Sequence, residues 1–88
     1  MNNDRRKNLA ELQARVTEIA DLIEFLKDDV ENVRDEEQEY YDNMPEGLQA
    51  GMRGDRAEEA LNALDEAVGA LDDFDGDSIV GALETAAE

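Results

Sequence analysis

Leu9, Leu12, Val16, Ile19, Ile23, Leu26, Val30 and Val33 follow one another at alternating steps of three and four residues. Taking Leu9 as heptad position a places Leu9, Val16, Ile23 and Val30 at a, and Leu12, Ile19, Leu26 and Val33 at d. Tyr40 and Met44 continue the seam, with Glu37 as its one interruption. A repeat of this kind predicts a long helix with a coiled-coil seam. It is expected over residues 8–41, about 50 Å at ~1.5 Å per residue. β-Branched residues at a with mainly leucine at d favour two parallel strands. Ala20 and Leu22 flank the seam and widen it toward the stripe of a bundle helix. Asn8 followed by Glu11 reads as a capping box at its start.

Asp42-Asn43-Met44-Pro45-Glu46-Gly47 ends that pattern, because the residue before a proline is pushed out of the helical region and Gly47 supplies a turn. Gly51 and Gly54 extend the irregular stretch, so the linker is placed at 42–55. Asp55 reads as an N-cap, boxed by Glu58, for a second helix over 56–72 with Leu61, Leu64, Val68 and Leu71 on one face. A turn at 73–77 leads to a third helix over 78–87, in which Gly76 takes the left-handed conformation and Asp77 is the cap. Together the two later helices are about as long as the first. The expected architecture is therefore all-α: one domain over 1–88, a long hairpin with helices 2 and 3 returning antiparallel along helix 1. Its acidic C-terminal segment should lie beside Arg5, Arg6 and Lys7. Large apolar side chains are few for a chain of 88 residues. A homodimer is expected, with the seam residues Leu12, Val16, Ile19, Ile23, Leu26, Val30 and Val33 as core and interface.

Charge changes the picture. The 25 acidic and 8 basic side chains leave a net charge of −17. Residues 1–27 cancel, five against five, and residues 28–88 carry three basic and twenty acidic side chains. A surface of this sign repels nucleic acid and anionic membranes, so neither is expected as a direct partner, whereas a basic protein surface is. No apolar run approaches the roughly 20 residues of a membrane span, and none follows Arg5-Arg6-Lys7 as a secretory signal requires. The expected location is the cytoplasm.

The same composition argues against catalysis. There is no His and no Cys, which removes the usual general base, the usual activated nucleophile and the thiolate metal ligand. Ser78, Thr17 and Thr85 have nothing to activate them, and a rod two helices thick encloses no cleft of substrate size. No enzyme activity and no cofactor are expected. Asp73, Asp75, Asp77 and Glu84 fall at positions 1, 3, 5 and 12 of a calcium-loop pattern. Ser78 occupies the position where that loop needs glycine, and a helix-ending turn is the simpler reading.

The feature with most chemical content is the side of helix 1 opposite its seam. Asp21, Asp28, Asp35 and Asp42 all occupy position f, with Glu24 and Glu31 four residues before two of them. Carboxylates then repeat about 5–6 Å apart along a rod, a spacing comparable to that of phosphates on one DNA strand. An ordinary solubilising face mixes both signs, yet between Asp28 and Met52 the one cation is Arg34. The candidate partner-binding set is Asp21, Glu24, Asp28, Glu31, Asp35, Glu36, Glu39 and Asp42. Phe25, at position c, is a candidate partner contact, and Tyr40, on the seam, is expected in the core.

The run Glu36-Glu37-Gln38-Glu39-Tyr40-Tyr41-Asp42-Asn43-Met44-Pro45-Glu46-Gly47-Leu48-Gln49, with Ala57-Glu58-Glu59-Ala60-Leu61 and the Ala-Leu-Glu ending, resembles small acidic phage and prophage proteins of unassigned function. The resemblance covers roughly residues 30–88, and its most specific part is the Asp-Asn-Met-Pro-Glu-Gly-Leu-Gln linker. It implies a phage context, in which small acidic proteins include anti-CRISPR and anti-restriction inhibitors that act as DNA mimics. The expected function is a non-enzymatic inhibitor that occupies a basic nucleic-acid-binding groove. The alternative is a structural coiled-coil module.

Overall fold

The computed structural model describes residues 2–88. Helix α1 runs over Asn3–Asp42, the one-turn α2 over Glu46–Gln49, α3 over Met52–Asp72 and α4 over Gly76–Ala87. The fold is all-α, with no strand among the described residues. It is a rod of 68 × 15 × 13 Å in its Cα trace, the cross-section of one helix pair. Helices α3 and α4 both pack along α1 and return antiparallel to it, so the expected hairpin is observed.

Three helix starts differ from expectation, two of them because an earlier side chain serves as the cap. Asn2 caps α1, its Oδ1 accepting from Arg5 N at 2.8 Å, so the helix begins five residues before Asn8. Gly51, not Asp55, is the N-cap of α3. Asp75, not Asp77, caps α4 through Oδ1, which accepts from Ser78 N at 2.9 Å. Gly76 is the first residue of α4 and has no left-handed backbone; no described glycine has a positive φ. Its missing Cβ lets α4 start against Ala20, whose own Cβ would be 3.3 Å from one built there.

The linker is more ordered than its glycines suggest. Pro45 opens α2, and Gln49 Nε2 donates to Tyr41 O at 2.9 Å, folding the turn back on the end of α1. Gly54 lies inside α3, buried, where the backbone of Gln49 passes so close that any side chain would overlap it. Its role is close approach of backbone.

Three cross-helix contacts set the register. Lys27 Nζ meets Asp72 Oδ1 at 2.6 Å, Arg34 Nε donates to Asp65 Oδ1, and Tyr41 Oη donates to Glu58 Oε1 at 2.9 Å. Each pair steps by seven residues along both helices, as edge positions of an antiparallel coiled coil do. At the far end Arg6 Nε donates to Ala87 O at 2.9 Å, placing a cation on the negative end of the α4 dipole.

These contacts turn α1 away from the expected seam. Its protected line runs through Leu9, Gln13, Val16, Ala20, Ile23, Lys27, Val30, Arg34, Glu37, Tyr41 and Met44, which are positions a and e. The d row lies outside, with Leu12, Ile19, Leu26, Val33 and Tyr40 exposed at 41, 46, 51, 52 and 53%. The rotation is about 50°, one step of the heptad wheel. Tyr40, expected in the core, is thus on the surface, and its neighbour Tyr41 takes the packed position. The buried apolar side chains among the described residues are Met44, Ala57 and Leu61, all near the turn end of the rod.

Candidate functional site

Helix α1 carries the whole candidate acidic set on one continuous rod, so the relative positions of its carboxylates are fixed by helical geometry. Asp21, Glu24, Asp28, Asp35, Glu36, Glu39 and Asp42 are exposed, and Glu31 is half-buried. Position f stands about 150° round the helix from the d row and about 100° from the e row. The acidic face, the apolar row and the α3-facing line are therefore three separate surfaces of one helix.

Of the two cations nearest the face in sequence, Lys27 is turned from it, and Arg34 reaches across to α3 while also touching Asp35 on the face. Lys27 and Arg34 are the only basic residues between Arg15 and Arg53, and both reach across to α3, where Asp72 and Asp65 receive them. The hydrogen bond to Asp72 is the main reason the Lys27 ammonium titrates above its ordinary 10.5, opposed by partial desolvation. Asp65 likewise holds the Arg34 guanidinium above its ordinary value. Arg34 Nη1 also touches Asp35 at 3.4 Å, and Gln38 Nε2 donates to Asp42 Oδ1 at 2.9 Å. Asp21 and Asp28 have no cation within 4.0 Å among the described residues. Glu24 and Asp28, like Glu31 and Asp35, are like charges one turn apart, an arrangement that weakens a helix.

Where the acidic face reaches the turn, an open groove of about 460 Å³ is lined by Glu36, Glu39, Tyr40, Met44, Leu48 and Arg53 among others. It combines two carboxylates and an exposed aromatic ring with a cation of the chain's own, Arg53. Phe25 is 66% exposed, and Leu22 nearby is equally exposed.

The calcium-loop pattern does not assemble. Asp75 is occupied in capping α4, Asp73 ends α3, and Glu84 lies more than two turns into α4. No three acidic side chains gather as a cation site among the described residues.

Two structural features were not read from the sequence: the reach of Lys27 and Arg34 into cross-helix pairs, and the outward d row. The signal for both was present, since Glu58, Asp65 and Asp72 repeat every seven residues opposite Tyr41, Arg34 and Lys27. Comparison with known protein families, with curated proteins and with solved structures finds no match to this chain. No helix among the described residues is long and apolar enough to cross a membrane.

Proposed function

We propose that this chain is a non-enzymatic, DNA-mimicking inhibitor whose α1 acidic face occupies the basic nucleic-acid groove of a host-defence or nucleic-acid-processing protein. The observation that carries the reading is the fate of the two central cations. Lys27 and Arg34 are drawn to α3, Arg34 keeping a contact of 3.4 Å to Asp35, and Asp21, Glu24 and Asp28 are left as a solvent-facing row with no cation paired to them among the described residues. Such a row costs helix stability and serves no packing contact, so the fold alone gives no reason for it. A rigid line of carboxylates attracts a phosphate-binding groove mainly by charge. The phage context and cytoplasmic action, in the manner of anti-CRISPR proteins, belong to this same proposal.

The test is capture from bacterial lysate by tagged protein at low and high salt, with duplex DNA as competitor. The proposal expects a nucleic-acid-binding protein that is released by salt, competed by DNA and lost when Asp21, Asp28, Asp35 and Asp42 are all changed to Asn. Capture that is indifferent to salt and to those four substitutions overturns it.

A second reading, a structural coiled-coil module, is favoured by the exposed d row. Leu26 is the position that tests it, since its side chain is half exposed and outside the hairpin. Ile23 lies on the protected line of α1, and a polar group there would damage the hairpin itself.

A further inference from the structure

Leu12, Ile19, Leu26 and Val33 form an outward row about 32 Å long on α1, and Leu22 and Phe25, each 66% exposed, broaden its centre. A row of knobs with period seven is half of a coiled-coil seam, and the complementary half is another heptad helix. The a row already lies in the hairpin, so the d row can take a partner without opening it.

We propose that the d row of α1 binds the same row of a second copy of this chain, antiparallel, with the two-fold axis between Leu22 and Ile23. Three observations fix the direction and register. Helix α1 spans Asn3–Asp42, so its midpoint falls beside Leu22, and an axis there aligns two copies flush along their whole length. That register sets Ile19 against Leu26 of the partner subunit and Leu12 against Val33 of the partner subunit, matching the d row to itself. The flanking g row reads Asn8, Arg15, Leu22, Asp29, Glu36. Antiparallel pairing about that axis brings Arg15 to Asp29 of the partner subunit and sets each acidic half, beyond Lys27, along the charge-balanced half of the other copy. Parallel pairing puts the two g rows on opposite sides of the seam, so Arg15 and Asp29 cannot meet, and it sets the acidic halves of both copies side by side, a like-charge arrangement that is selected against. The sequence pattern alone favoured parallel strands; the charge order along the exposed row reverses that direction. The f row stays outside the pair, so this dimer is independent of the inhibitor reading.

The chain has no native cysteine, so single cysteines report the geometry. In mild oxidant, Leu22→Cys is expected to cross-link to itself. Leu12→Cys and Val33→Cys should each stay uncross-linked alone and link when mixed. Sedimentation should give twice the 9.8 kDa chain mass at micromolar concentration, and Leu26→Glu should halve it with helical circular dichroism retained. Self-linking of Leu12→Cys and Val33→Cys without mixing overturns the direction. A monomeric parent chain at about 1 M salt, where the screening length is about 3 Å, overturns the dimer, whatever the lysate capture shows.

Discussion

Tyr41 donates its phenolic hydrogen to Glu58 Oε1 at 2.9 Å and offers its backbone carbonyl to Gln49 Nε2 at the same distance. One residue thus joins the end of α1 to both α2 and α3. Glu58 is the chief reason the phenol titrates above its ordinary 10.0, with desolvation and the charges of Asp42 and Asp55 adding to it.

Alkaline stability follows from that pair and from Lys27–Asp72. Both Tyr41 and Lys27 have raised values in the folded chain, so folding favours their protonated forms. Their contribution is complete below the unfolded values near pH 10 and is lost as pH rises through the folded ones. Thermal melts should be level from about pH 7 to 9 and fall above about pH 10. The fall should be shallower in Tyr41→Phe and shallower again when Lys27→Arg is added.

Gly54 and Gly69 should respond oppositely to alanine. A Cβ at Gly54 overlaps the Gln49 backbone, whereas one at Gly69 meets nothing within 4 Å. Gly54→Ala should destabilise by about 2–3 kcal/mol in urea denaturation, as overpacking does. Gly69→Ala, on an exposed helix interior, should stabilise by about 0.5–1 kcal/mol.

The hairpin was legible in the sequence because a heptad seam over 9–33 was followed, after a proline turn, by two shorter helical patterns that together are about as long as the first helix. What was not legible was the rotation of α1. The side chains Leu9, Val16, Ile23 and Val30 sit on the shared edge of two stripes, and apolar periodicity cannot say which neighbouring row is turned inward. Polar partners decided it: Lys27 and Arg34 reach Asp72 and Asp65 only if position e faces α3. The helices also start a little earlier than expected: Asn2 and Asp75 cap α1 and α4 ahead of Asn8 and Asp77, and α3 begins after Gly51, ahead of Asp55, with no side-chain cap. The acidic row itself was fully legible, since an exposed f position needs only the heptad phase.

Register can be tested by exchange. Arg34→Glu sets a carboxylate against Asp65 and should lower Tm. Adding Asp65→Arg to the same chain should restore most of the loss. Adding a cation on the far side of α3, as in Ala63→Arg, should not, because residues two apart on a helix do not share a face. Recovery by both second changes alike would mean that net charge, not the pairing, matters.

Salt should raise the stability of the fold while lowering its affinity for a basic partner. A net charge of −17 on a thin rod repels itself across distances that salt screens. The three cross-helix contacts are short-ranged by comparison. Melts should shift upward between about 0.02 and 0.5 M NaCl, with the largest part of the shift below about 0.15 M, where the screening length exceeds about 8 Å. A downward shift would mean that ion pairing outweighs repulsion in this chain.

The sharing of one helix among three surfaces sets how freely each position can drift. A residue at a, such as Val16 or Ile23, borders two stripes at once and tolerates little but another aliphatic group. Residues at e answer to α3 and those at d to whatever covers that row, each under a single demand. Position f answers to no packing contact within the hairpin. Asp21, Asp28, Asp35 and Asp42 can therefore be exchanged for any helix-forming polar residue with the fold intact, so acidity that persists at these positions in diverging copies is a record of selection by a partner.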